Sequence, residues 1–255
     1  MNEALPYCGA PPSPGELLAR FNLDPLLIVV LVVLGTLHVL STSQRRARWF
    51  TGSGWTVAAA AFLSPLCALS VSLFSARIAQ HMILLLVAAP LIALGSQPPA
   101  VRRGAWGLWF YAVVFFVALW LWHMPTPYDA TFSSSLLYWT MHVTLFGSGV
   151  LLWRELLHHS RERTADALVV GLLTSMQMGL LGAVLSLAAR PLFFPHFTTA
   201  SAWGLTPLQD QQLGGILMWV PGILLFLWTA IRSLRRLLGA LEAMNRNESR
   251  PARLS

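Results

Sequence analysis

IAQHMILLLVAAPLIAL, residues 78–94, is apolar apart from Gln80 and His81. A run of this length and character is what a helix needs to cross the hydrocarbon core of a bilayer. Working outward, six further runs of the same kind appear: about Pro25–Thr42, Trp55–Phe74, Trp106–Trp122, Ser135–Leu156, Ala167–Ala188 and Gln211–Ser233. The expected fold class is therefore all-α, a polytopic transmembrane helical bundle of about seven spans. The segments between the runs read as connections. QRRARWFTGSG (44–54), a short turn at residues 75–77, GSQPPAVRRG (95–104), HMPTPYDATF (123–132), HHSRERTAD (158–166) and the longer ARPLFFPHFTTASAWGLTPLQD (189–210) are expected as loops. Pro65, Pro90 and Pro221 fall inside runs and predict kinks, which neighbouring helices tolerate within a bilayer.

Composition agrees. Of 255 residues, 56% are hydrophobic and 11% charged, against about 25% charged in a soluble domain; the mean hydropathy is +0.62. The chain divides into a tail (1–24), a transmembrane helical domain (25–235) and a basic tail (236–255). The first run lacks a preceding basic stretch and a small-residue cleavage site, so it reads as a retained span rather than a signal peptide.

The net charge is +7, and every basic residue is arginine. Fourteen (Arg45, Arg46, Arg48, Arg102, Arg103, Arg154, Arg161, Arg163, Arg232, Arg235, Arg236, Arg246, Arg250, Arg253) fall on one side of the seven-span layout and three (Arg20, Arg77, Arg190) on the other. The positive-inside rule makes the rich side cytoplasmic, with the N-terminus outside and the C-terminus in the cytoplasm. Clusters placed between apolar runs are a topology signal, and no nucleic-acid partner is expected. A six-span arrangement, with the second and third runs forming a re-entrant pair, is the alternative.

Ionisable and soft side chains at membrane depth are costly and mark candidate sites. His81 lies about one turn below the outer end of its span, His142 roughly 10 Å down the fifth, and His123 closes the fourth. Cys67 and Met218 fall near the same level. Imidazole, thiolate and thioether suit Cu(I). Spacing alone leaves two readings open, a metal site or histidines that bond helix to helix. Cys8 stands in the tail; a Cys8–Cys67 disulfide is possible but spacing does not single it out. Asp129 is a candidate to cap the fifth span or orient His123, and Asp210 to complement the dipole at the start of the seventh. No phosphate-binding loop, nucleophile elbow or HExxH motif occurs, and no enzymatic activity is expected.

Several stretches together carry a family resemblance. SPLCALSVSLFSARIAQHMILLLVAAPLIALG (64–95), LWHMPTPYDATFSSSLLYWTMHVTLFGSGVLLWREL (121–156), MGLLGAVLSLAARPLFFPHF (178–197) and WGLTPLQDQQLGGILMWVPG (203–222) resemble the spans of CtaG-type cytochrome c oxidase assembly factors. YCG (7–9) and NLDP (22–25) also look like the longer proteobacterial members. The resemblance implies a multi-pass protein of the bacterial cytoplasmic (inner) membrane that works with oxidase subunits and with periplasmic copper donors. It puts His81, His123 and His142 at the family's motif histidines and Met218 in its M-W-V-P element. Many members carry another histidine where Arg77 or Gln80 stands here, so Cys67 or Cys8 becomes the candidate for the missing ligand. The expectation is Cu(I), held in the outer leaflet by His81, His123, His142, Cys67 and Met218, with Cys8 as a transfer ligand. The alternatives are a metal-free assembly scaffold and a haem-handling membrane protein.

Overall fold

A computed structural model describes residues 5–96, 105–158 and 163–248. The loop arginines Arg102, Arg103 and Arg161, together with His159, Arg250 and Arg253, lie outside them. Every regular element among the described residues is helical. Besides short 3-10 turns at Leu17–Ala19, Phe194–His196 and Ala200–Trp203, they are, in chain order, α1 (Pro25–Ser41), α2 (Arg45–Leu63), α3 (Leu66–Ser72), α4 (Phe74–Gly95), α5 (Ala105–Trp122), α6 (Pro125–Ser133), α7 (Ser135–His158), α8 (Thr164–Ser186) and α9 (Pro207–Glu248).

Four of these, α4, α7, α8 and the Pro207–Gly239 part of α9, are long and apolar enough to cross a membrane. The bent pairs α2–α3 (48°) and α5–α6 (74°) raise the number to as many as six if each is one broken span. Each of the seven apolar runs is thus helical, but the first stands apart. α1 has 17 residues, about 25 Å of helix, at the short end of what a bilayer requires. It is exposed along most of its length, at Leu26, Val29, Val32, Leu37 and Leu40 among others. It touches the bundle through Leu27, buried against Ala58 and Phe62, and where Trp55 of α2 lies against Gly35. Trp55 Nε1 also donates to His38 Nδ1 at 3.2 Å, which gives His38 a helix-to-helix bonding role.

Local chemistry sets the helix ends. Asp24 starts α1, its carboxylate accepting from Leu26 N at 2.9 Å while Pro25 takes the first helical position; this pairing is a strong helix start. The Tyr7 hydroxyl donates to the same carboxylate and holds Asp24 below the usual carboxylate range. Pro65 separates α2 from α3. Before Pro90 the backbone of α4 widens into a π-helical turn, Leu84–Ala88, a way of absorbing the missing proline N–H. Pro221 lies inside an unbroken α9.

Three expected loops are helix instead. QRRARWFTGSG forms the first turns of α2, because its glycines are outnumbered by residues that tolerate helix and its arginines reach past the apolar stretch. The turn expected at 75–77 falls at Leu73, so Ser75–Arg77 lies in the first turn of α4. PTPYDATFS is a separate helix, α6, with Pro125 at its first position. The last helix also runs through the expected basic tail as far as Glu248.

The most extensive helix pairing is between α8 and α9. A Cβ on Gly182 would lie 2.4 Å from the Trp219 Cβ and 2.9 Å from the Gly215 carbonyl oxygen. Small residues that let backbones approach are the usual means of joining helices in lipid.

Candidate functional site

His81 projects from α4, His123 lies just past the end of α5, and His142 projects from α7. All three are buried, 2%, 4% and 2% exposed. The structure brings their rings together: the His81 and His142 centroids are 5.2 Å apart and those of His81 and His123 5.9 Å. Two imidazoles that share one ion through nitrogens about 2 Å from it place their centroids about 5 Å apart. The His81–His142 separation is of that size and the His81–His123 one is wider. Among the described residues no three His, Cys, Asp or Glu side chains form a metal-ready group; the rings are neighbours without a closed coordination sphere.

The backbone fixes two of the rings. His123 Nδ1 bonds the Leu119 carbonyl at 2.6 Å and His142 Nδ1 the Tyr138 carbonyl at 2.9 Å. A ring nitrogen facing a carbonyl must be its donor, so Nε2 of each neutral ring keeps a lone pair. Those two Nε2 atoms, and both nitrogens of His81, are buried with no hydrogen-bond partner among the described residues. Buried polar atoms are nearly always satisfied, so four unpartnered imidazole nitrogens in one cluster mark a candidate binding site. Phe62 and Tyr138 wall His142, with centroids 5.1 and 4.3 Å away.

Asp129 does not orient His123; the Leu119 carbonyl does. Nor does Asp129 cap α7, since the Ser134 hydroxyl accepts from Leu137 N there at 3.3 Å. Asp210 serves a different helix from the one expected. Its carboxylate accepts from Phe74 N at 2.7 Å and from Ser75 N at 3.0 Å, so it caps α4, the helix that carries His81. This was not legible in the sequence because α4 was expected to begin after Arg77.

Arg77, expected in an outer turn, is 1% exposed. Its Nη1 donates to Thr131 Oγ1 at 2.7 Å, and its guanidinium lies 4.1 Å from the Phe132 centroid and 5.2 Å from that of Tyr128. Among the described residues no carboxylate pairs with it, and its Nε has no partner. It stands one helical turn before His81 on the same face, and that i, i+4 spacing was the signal available in the sequence. His196, in the loop before α9, accepts from or donates to the Tyr128 hydroxyl at 2.7 Å. Burial, helped by the charge of Arg77, pushes its pKa down to about 3, so the ring is neutral.

The sulfur candidates separate. Cys8 and Cys67 are joined to each other by a disulfide, so in this state neither offers a thiolate to the imidazoles. The pair is one tyrosine away from them: the Tyr138 hydroxyl is 3.4 Å from Cys8 Sγ and 3.8 Å from Cys67 Sγ. Met218 is fully buried in the apolar core that also holds Met82, Met141 and Trp122.

These features define a polytopic helical membrane protein with a buried, unsatisfied imidazole cluster contributed by three helices. The chain belongs to the cytochrome c oxidase caa3 assembly factor (CtaG) family, which it matches over residues 27–239. No curated protein and no solved structure matches it.

Proposed function

We propose that this assembly factor binds Cu(I) at His81, His123 and His142 and passes it to a copper centre of the oxidase. The observation that carries the reading is the set of four buried imidazole nitrogens without partners. Neutral imidazole is a good Cu(I) ligand, and Met218 is a buried thioether, a softer donor, in the apolar core. The arginine distribution supports placing the cluster in the outer leaflet, where a periplasmic donor protein and an oxidase subunit both have access. Copper here is cargo, which suits a three-ligand site that an incoming acceptor ligand can open. The membrane is the bacterial cytoplasmic (inner) membrane.

A metal-free scaffold for oxidase subunits is the second reading, favoured by the lack of a metal-ready group among the described residues. Anaerobic loading of the purified protein with Cu(I), followed by desalting and metal analysis, separates the two. The copper reading expects about one retained ion at the imidazoles; the scaffold expects none, with the protein still co-purifying with oxidase subunits.

A further inference from the structure

We infer that Cys8 and Cys67 form a redox-controlled outer copper station, shut as a disulfide and opened by an extracytoplasmic dithiol reductant. The inference rests on the copper reading above and adds the step that admits the ion.

The two sulfurs are unequal. Cys67 is fully buried, whereas Cys8 is half-buried on the tail. An incoming thiolate therefore reaches Cys8 Sγ. Its attack forms a mixed disulfide at Cys8 and breaks the Cys8–Cys67 bond, and Cys67 departs with the electron pair as thiolate. Asn22 Nδ2 points at Cys67 Sγ from 3.6 Å and the Tyr138 hydroxyl from 3.8 Å; both are donors placed to stabilise the charge on the leaving sulfur. The reductant's second thiol then attacks its own sulfur in the mixed disulfide. It leaves as a disulfide, having given two electrons, and frees Cys8.

The thiols stay opposite each other after this exchange, because the tail is docked independently of the bond. Ser72 Oγ donates to the Pro12 carbonyl at 3.3 Å, Asn22 N donates to the Leu63 carbonyl at 3.0 Å, and the Tyr7 ring stacks on Tyr138 at 4.9 Å. Facing thiolates are a two-coordinate site for Cu(I), and a disulfide is not. Tyr138 lies between this station and His142, touching the sulfurs with its hydroxyl and the imidazole with its ring. An ion released from the thiolates thus has one side chain to pass before it meets His142.

Two measurements on the full-length detergent-solubilised protein test this. First, the oxidised protein is incubated with glutathione and its cysteines are mapped by mass spectrometry. Glutathione is expected on Cys8 with Cys67 free; glutathione mainly on Cys67 overturns the direction of exchange. Second, oxidised protein and phosphine-reduced, desalted protein are titrated anaerobically with Cu(I) against a chromophoric chelator. The reduced protein is expected to take one ion more than the oxidised protein, and Cys8→Ser to lose that extra ion. Equal uptake in both redox states overturns the station and leaves the imidazole site standing. No uptake in either state overturns the imidazole site as well.

Discussion

Asp210 and Ser75, 135 residues apart in the chain, meet at the N-terminus of α4, where the carboxylate accepts from both the backbone N–H and the hydroxyl of Ser75. The last helix thereby holds the helix that presents His81. Asp210→Ala leaves two buried N–H donors without an acceptor and is expected to lower stability by about 2 kcal/mol. Asp210→Asn, which keeps one acceptor oxygen, should lose less. Thermal unfolding followed by tryptophan fluorescence measures both, and an unchanged midpoint for the alanine variant contradicts the capping role.

The close approach of α8 and α9 gives a paired test. Gly182→Ala puts a methyl group into the Trp219 side chain and the Gly215 carbonyl, and should cost about 1–3 kcal/mol. Gly147→Ala, on α7 with nothing within 4 Å of the added carbon, should be neutral or slightly stabilising through its better helix propensity. Equal midpoints for the two variants would show that the α8–α9 contact is looser than described.

Arg77 is a buried cation without a carboxylate partner among the described residues. Arg77→Met removes one hydrogen bond to Thr131, about 1.5–3 kcal/mol. It also removes the cost of keeping a charge out of water. The expected net effect is a midpoint close to that of the unmodified protein. A loss above about 3 kcal/mol, read from the same unfolding curves, would mean that the aromatic cage around the guanidinium stabilises the fold.

His196 makes the fold acid-sensitive. Its folded pKa is about 3, while the unfolded value is near 6.5, so the unfolded chain takes up the proton first. This contribution to stability is fully present above about pH 6.5 and is lost as pH falls toward 3, by at most about 1.4 kcal/mol per pH unit. His196→Gln should flatten the pH dependence of unfolding over that window, and an unchanged slope would assign the acid sensitivity elsewhere.

The apolar runs made the helices legible, because lipid demands uninterrupted hydrogen-bonded backbone and the runs show where that demand applies. Their ends were not legible. Arg45–Gly54 and Pro125–Ser133 are polar or proline-bearing enough to read as loops, yet they fold as helix because the bundle continues past its apolar core. The grouping of His81, His123 and His142 was readable from depth and from the family motifs. What makes it a candidate site is the Nδ1-to-carbonyl bonding of His123 and His142, which depends on rotamers that spacing does not encode. The Cys8–Cys67 pairing depended on where the tail docks, and the docking contacts of Tyr7, Pro12 and Asn22 carry no periodic signal.

The most direct test of the central claim is the Cu(I) stoichiometry of the oxidised protein beside that of the His81→Ala/His142→Ala double variant, both loaded anaerobically and checked for matching helical content. The account predicts about one ion for the unmodified protein and none for the double variant. Equal copper in the two proteins would contradict it.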